Sequence, residues 1–285
     1  MTSIDVDTAN VFEYSLLDES LVSLEALADA GDRLPEKQVE HHVGDLPVIL
    51  PGGESIRLNQ TPGDAIRNVA TNGCWVMLQA LGVLPEYESL LRRVGGRFEL
   101  ALRARGERLV KHDLIAFIGA PGATVPVHFD RNHHLLVQVR GSKTVGTGTF
   151  SDPRVHQLQI ERGMQPARVN ADLMPDRCEE HVLHAGEALV IPAFTFHWVQ
   201  GGHDVSIAMT CVVVTETTAR TAAVHEFNLR SRKLGLHPAP PGQRARVDRT
   251  KQKVVEVSTR VKKRVKKTVE KTVEKTVEKK VRRSS

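Results

Sequence analysis

Two histidines and one carboxylate, supplied from two separated stretches, are the residues of this chain best suited to hold a metal. Val125 to Lys143 reads VPVHFDRNHHLLVQVRGSK and carries His128 and Asp130 two positions apart. Gly186 to His197 reads GEALVIPAFTFH and ends in a histidine 67 residues after Asp130. Alternate residues of a strand share a face, so a His-x-Asp pair can present both ligands to one side. The third ligand must then come from another strand, and His197 can supply it. Two imidazoles and a carboxylate, with no thiolate, form a facial set that suits Fe(II), Mn(II) or a similar ion and leaves positions open. Alone, an H-x-D pair carries little weight in a chain of 13 histidines, and the flanking pattern has to support it.

The elements that must position these residues change character along the chain. Residues 20–28 carry a loose helical stripe, with Asp18, Glu19 and Ser20 as capping groups. Leu46 to Pro51 is a short extended run between prolines. Thr61 and Pro62 fit the N-cap and first position of a helix, and the segment from Ala65 to Leu81 is apolar enough to pack on a core, in a helical layer with one or two strands. Pro85 to Val94 reads as another helix, stopped at Gly95-Gly96. From Arg97 the pattern turns to alternation (Phe98, Leu100, Leu102), and strand-like runs follow at 114–119, 134–139, 143–150, 156–160, 186–197 and 205–215. Strands at this spacing, broken by Gly/Pro turns, predict an antiparallel sandwich or barrel. A helix is expected over Thr217 to about Leu234, followed by a stiff Pro-rich connector, His237 to Gly242.

Composition sets outer limits. Forty per cent of residues are hydrophobic, enough for a core, although aromatics are only 4% and aliphatic side chains must do most of the packing. Three cysteines with no C-x-x-C pair argue against a disulfide scaffold or zinc ribbon and for a reducing compartment. The start of the chain lacks the marks of a signal peptide, and no run approaches the ~18 apolar residues of a membrane span; a cytoplasmic protein is expected.

The net charge of +5 is unevenly distributed. Residues 249–285 hold 15 Lys+Arg against 4 Glu, a net of +11, while residues 1–248 hold 24 against 30, a net of −6. Within this tail Val recurs every four residues from 257 to 281, so its apolar stripe creeps ~40° per step around a helix. Val and Thr are poor helix formers, and the expected behaviour is a helix that forms on a partner. An anionic surface such as nucleic acid or an acidic membrane would be held by its lysines in a salt-dependent way. A solubilising appendage is the plainer alternative, and homodimerisation stays open.

The two metal-bearing stretches resemble the paired motifs of cupins. The first reads H-x-D-x3-His134-x6-Gly141, and the second Gly186-x5-Pro192-x-Phe194-x2-His197, with Phe194 where cupins often have glycine. The H-x-D form, with LLVQVRGSK after it and GEALVIPAFTFHWV later, is similar to the JmjC-type, cupin-like Fe(II)/2-oxoglutarate oxygenases. The likeness covers roughly residues 110–240, including VHEFNLRSRKLGLHPAPPG. It implies a mainly β double-stranded β-helix (cupin or jelly-roll) barrel over 97–217. A helical N-terminal layer (1–96) would pack on it, with a C-terminal helix and connector (218–248) and the basic tail (249–285) following. It also implies that His128, Asp130 and His197 hold iron, that Lys143 pairs with the distal carboxylate of 2-oxoglutarate, and that Thr210 lies beside the cosubstrate. The reaction implied is hydroxylation of a protein side chain or a small molecule.

Three departures accompany the likeness. Thr124 stands one place early relative to the Thr-Pro-x-His of relatives. His134 occupies the cupin Glu position, as a fourth ligand, a supporting group or an inert neighbour. Gly146-Thr-Gly-Thr replaces bulkier residues after Lys143 and suggests a roomier pocket. Two other readings remain at this point: a metal cupin with different chemistry that uses His134, and a non-enzymatic binding protein working through its tail. His41-His42 and His133 read as loop or surface residues. Cys178, Glu179, Glu180, His181 and His184 form a cluster with no helix or knuckle to organise it, and Trp198 reads as barrel packing.

Overall fold

Eight antiparallel strands in two facing sheets follow the strand order of a double-stranded β-helix. The computed structural model describes residues 4–14, 20–50, 56–165, 170–262 and 264. The strands are β1 (Val11–Glu13), β2 (Val39–Val43), β3 (Cys74–Leu78), β4 (Leu109–Gly119), β5 (Thr124–Phe129), β6 (His133–Arg140), β7 (Ser142–Thr149), β8 (Arg177–His184), β9 (Glu187–Ile191), β10 (Phe196–Gly201) and β11 (Ser206–Thr215). The helices are α1 (Leu24–Arg33), α2 (Pro62–Arg67), α3 (Val69–Asn72), α4 (Pro85–Ala104), α5 (Pro153–Gly163) and α6 (Glu216–Arg232). The small sheet runs β5-β10-β7-β8 and the large one β1-β9-β6-β11-β4-β3-β2. Strands β4 to β11 switch between the sheets in the double-stranded β-helix order, with the β7-β8 hairpin kept within the small sheet, and β1, β2 and β3 widen the large sheet at its edges.

The barrel follows from the period-2 pattern of its strands. Along β11, Ile207, Met209, Cys211 and Val213 pack under the helices, while Ala208 faces the barrel interior. Along β6, Leu135 and Val137 turn to the helices and Leu136 turns inward. The helical layer answers with Leu27, Ile66, Leu90, Val94, Phe98 and Leu102, all fully buried. The interior pairs Leu136, Leu189, Ile191 and Ala208 of the large sheet with Val145 and Leu183 of the small one. On the outer face of the small sheet, Val127, Phe196 and Trp198 pack against Ile160 of α5, so Trp198 is indeed packing.

Three local expectations are corrected, and the apolar segment 65–81 is resolved into helix and strand. Helix α4 runs through Gly95-Gly96 to Ala104. Gly in a helix costs about 1 kcal/mol, but a Cβ at Gly95 would meet Cys211 Sγ at 2.7 Å, so the glycine lets α4 lie close on β11. Phe98 and Leu102 are thus one helical turn apart, on a buried face that leaves Leu100 67% exposed. Residues 65–81 do not form one helix: Gly73 takes φ +63° at the end of α3, and Cys74–Leu78 is a strand. A five-residue apolar run cannot be assigned by periodicity alone. Residues 156–160 lie in α5, not a strand; Asp152 caps it by accepting from Arg154 N at 2.7 Å, and Pro153 opens it. Finally α1 is capped by Ser23, whose Oγ accepts from Ala26 N; of the caps expected there, Asp18 and Glu19 lie outside the described residues.

Another expectation held. Thr61 accepts from Asp64 N at 3.1 Å with Pro62 at the first position. By contrast residues 46–50 of the proline-bounded run form no strand, and Pro51 lies outside the described residues; the Val48 carbonyl accepts from Val127 N at 2.8 Å.

The chain divides into two compact units, Met1–Ala219 and Arg220–Ser285. In the second, the Pro-rich connector is tied down, because Ala239 O accepts from Asn228 Nδ2 at 3.0 Å and from Lys251 Nζ at 2.8 Å. A helix follows over 245–262. Most of the valine repeat lies outside the described residues. Among the described residues no helix is long and apolar enough to cross a membrane.

Gly146 of the Gly146-Thr-Gly-Thr stretch does not widen the pocket, although Thr147, Gly148 and Thr149 line a cleft. Gly146 and Gly148 point to the outer face, where a Cβ at Gly146 would sit 1.9 Å from the Trp198 ring. Overpacking of this kind costs 1–3 kcal/mol or more. Gly146→Val is therefore expected to lower unfolding stability by at least about 3 kcal/mol in urea, with Trp198 fluorescence as the reporter. A change below about 1 kcal/mol would show that Trp198 does not fill that space.

Candidate metal centre

The antiparallel register of the small sheet brings the two ligand-bearing stretches together. His197 of β10 is the direct partner of His128 of β5, and Phe196 is the partner of Phe129. Asp130 lies one residue past the end of β5. His128, Asp130 and His197 offer ligand atoms that all lie within 4.8 Å of one another. Among the described residues they are the one group of three or more such side chains so arranged. His128 Nε2 is 3.9 Å and His197 Nε2 3.5 Å from Asp130 Oδ2.

The tautomers follow from the backbone. His128 Nδ1 faces Pro126 O at 2.9 Å and His197 Nδ1 faces Thr195 O at 3.0 Å. A carbonyl only accepts, so each Nδ1 carries the proton and each Nε2 turns its lone pair toward Asp130. Outer hydrogen bonds of this kind fix ring orientation and raise ligand basicity. Burial, with His197 beside it, lowers the His128 pKa to about 4, so its ring is neutral and ligand-ready at pH 7. Burial works against the charge on Asp130, but His134, His197 and His128 outweigh it and hold the carboxyl below the usual range.

A backbone clamp joins the two ligand-bearing turns. Phe194 N–H donates to Asp130 O at 2.7 Å, and Phe194 holds φ +62°, a left-handed conformation that bulky residues seldom take. Its ring stacks on Phe129 at 6.1 Å. Strain of this kind persists where surrounding contacts over-determine it, and it gathers at functional sites.

Lys143 lies deeper in the barrel. It is 2% exposed on β7, where Lys143, Val145 and Thr147 share the inner face, and its Nζ sits 5.1 Å from the centroid of the Phe117 ring. Among the described residues no carboxylate or carbonyl accepts from it. Burial alone pulls its pKa down to about 7. Thr210 is 6% exposed on β11, and its neighbours Ala208 and Leu136 place it on the inner face. Thr124 lies four residues before His128 on the same face of β5 and is 6% exposed.

Thr147 was not singled out from the sequence, although alternation from Lys143 points to it. It pairs with His197 across the sheet, and its Oγ1 is 3.2 Å from His181 Nε2. A cleft of about 520 Å³ opens beside it, lined by Asp7, Thr147, Arg177, Glu179, Pro192 and Thr195 among others. Phe117 was missed as well, because its contact with Lys143 joins residues 26 positions apart.

The remaining histidines are placed differently from expectation. His41 is 2% exposed on β2 and accepts from Arg57 Nε at 3.1 Å, while His42 packs its ring 4.8 Å from Trp75. His133 is half-buried on β6, and its Nδ1 accepts from Ala193 N at 3.4 Å. The residues of the Cys178–His184 cluster lie along β8 and do not converge on a metal cage.

No protein-family profile and no curated protein matches the chain. Solved structures similar to it include an X-ray structure of E. coli ycfD, at 15% identity and a TM-score of 0.49, covering 84% of this chain and 58% of that one. Another is YcfD, described as a ribosomal oxygenase from Escherichia coli, in complex with cobalt and 2-oxoglutarate, at 15% identity and a TM-score of 0.46, covering 88% and 63%. The same protein with cobalt and succinic acid matches at 16% identity and a TM-score of 0.44, covering 88% and 62%. The chain spans about three fifths of the length of these structures.

Two outcomes follow from this geometry. Asp130→Ala is expected to weaken Fe(II) or Co(II) binding by more than the roughly 10–100-fold typical of losing an outer partner, as read by anaerobic metal titration; unchanged affinity would place the metal elsewhere. Lys143→Met is expected to stabilise the metal-free protein. The folded ammonium releases its proton near pH 7 and the unfolded one near 10.5, so the unfolded state binds more protons between these values and wild-type stability rises with pH across that window. The advantage of Lys143→Met is thus largest at and below pH 7, on the order of 5 kcal/mol, and vanishes near pH 10.5. A pH-independent difference in denaturation midpoint would contradict it.

Proposed function

We propose that the protein is an Fe(II)/2-oxoglutarate-dependent hydroxylase, a dioxygenase acting on a protein side chain or a small molecule. The observation that carries this reading is Lys143: a buried ammonium with no anionic partner among the described residues, on the inner wall of the barrel that also holds the facial triad. An unpaired buried charge is costly, and a carboxylate ligand would relieve that cost.

The spacing supports a dicarboxylate. Lys143 pairs with Gly201, four residues along β10 from His197, roughly 13 Å of strand. A lysine side chain and a five-carbon dicarboxylate can share that span. His128, Asp130 and His197 would hold the metal by one face and leave the opposite positions open. Fe(II) bound there, with 2-oxoglutarate and oxygen, supplies the oxidising power that hydroxylates a C–H bond while 2-oxoglutarate leaves as succinate and carbon dioxide.

The chain's own residues orient and enclose. Pro126 O and Thr195 O hold the ligand rings, Lys143 anchors the distal carboxylate, and Thr210 offers a hydroxyl beside it. The apolar interior around Val145, Leu136 and Ala208 excludes water. The cleft at Thr147, the cross-strand partner of His197, would admit a substrate on the side of the metal centre.

The second reading is a metal cupin whose chemistry does not use 2-oxoglutarate and which would take His134, 3.5 Å from Asp130 Oδ2, as a further ligand. The two separate at Lys143. In the hydroxylase, succinate release requires both iron and 2-oxoglutarate, disappears in His197→Ala, and in Lys143→Ala shows a KM for 2-oxoglutarate raised at least about tenfold, the loss of one charge-assisted contact, with metal affinity intact. A wild-type protein that binds iron but not 2-oxoglutarate would overturn the hydroxylase reading.

A further inference from the structure

We propose that His134 is a positioning residue that orients the Asp130 carboxylate toward the metal without being a ligand itself; this rests on the metal centre and not on the use of 2-oxoglutarate. His134 lies on the inner face of β6, in line with Leu136 and opposite Val212 and Ile191. An imidazole on this largely apolar wall, with its side chain only 13% exposed, needs a polar partner. Among the described residues the acceptor it faces is Asp130: Nδ1 stands 3.5 Å from Oδ2, the distance at which His197 Nε2 approaches the same oxygen.

Position and chemistry separate His134 from the three ligands. The set whose donor atoms come mutually within 4.8 Å is His128, Asp130 and His197, and His134 lies outside it. His128 and His197 turn Nε2 toward the carboxylate because backbone carbonyls hold their Nδ1 protons. His134 turns Nδ1 instead. Among the described residues no carbonyl holds a ring proton of His134 as Pro126 O and Thr195 O do for the other two, so the nitrogen facing the carboxylate, which only accepts, is the one that carries the proton, and it is not a lone pair for the metal. Asp130 needs such a restraint. It lies past the end of β5, its side chain is 38% exposed, and the Phe194 N–H fixes its carbonyl without fixing its carboxylate. A carboxylate can turn either oxygen to a metal or chelate with both; a donor on one side limits that choice.

The test compares Co(II) binding and the visible Co(II) spectrum in the full-length wild type, His134→Leu and His134→Asn. Asn can place an N–H where Nδ1 stands, and Leu cannot. The expected result is a 10–100-fold loss of affinity in His134→Leu, restoration to within about threefold in His134→Asn, and a coordination number that does not change in either. Histidine 15N NMR of the Zn(II)-loaded wild type, which depends on no variant folding, should show His134 protonated at Nδ1. Equal losses in both variants with an altered Co(II) spectrum, or an unprotonated Nδ1, would make His134 a ligand and overturn the proposal. Unchanged affinity in His134→Leu would overturn it too. A wild type that binds no metal at all would instead remove the proposed function.

Discussion

The register that sets His197 opposite His128 is the constraint on which the rest of the site depends. A one-residue slip of β10 against β5 would turn His197 to the outer face and Trp198 inward. The slip is opposed from both sides of the sheet. Phe196 and Trp198 fill the cluster under α5, with Gly146 leaving room for the indole, while Val199 joins the interior cluster. Packing energy on the outside of the barrel is therefore what holds the candidate metal ligands in line on the inside. The ligands contribute little to that stability themselves, since Asp130 and the rings around it are polar groups gathered where burial disfavours charge.

Charge gives the interior its direction. At one end three imidazoles surround one carboxylate, and on the inner wall the Lys143 ammonium lies against an aromatic ring with no counter-ion among the described residues. Such an arrangement is unfavourable to folding and is retained where a ligand completes it. A cation at the carboxylate end and an anion at the lysine end would complete this one. Backbone contacts then reduce the freedom that binding would have to remove: two carbonyls fix the ring tautomers, and the strained Phe194 joins the two turns.

Much of this was legible in the sequence, and the limits were physical. His128, Asp130 and His197 could be read because ligand chemistry restricts residue type and strand geometry restricts spacing. The late strands alternate clearly, so the barrel could be read as well. The first hundred residues misled where local signals competed with packing. Gly95-Gly96 looks like a stop and is instead the place where α4 approaches Cys211. Cys74–Leu78 is fully apolar and shows no period. Phe117 under Lys143, and the buried His41 against Arg57, depend on contacts between distant residues that no local pattern carries. The likeness to Gly-poor relatives suggested a wider pocket at Gly146, but which face a residue occupies depends on register, and register put that space under Trp198.

The most direct measurement is an anaerobic titration of 2-oxoglutarate into the Fe(II)-loaded protein, followed by visible absorption. Chelation of the iron by the keto acid at two open positions of the triad should produce a metal-to-ligand charge-transfer band that saturates with 2-oxoglutarate. It should saturate at much lower concentration in the wild type than in Lys143→Ala. Absence of the band in a protein shown to hold one equivalent of Fe(II), or equal saturation in the two proteins, would contradict the account.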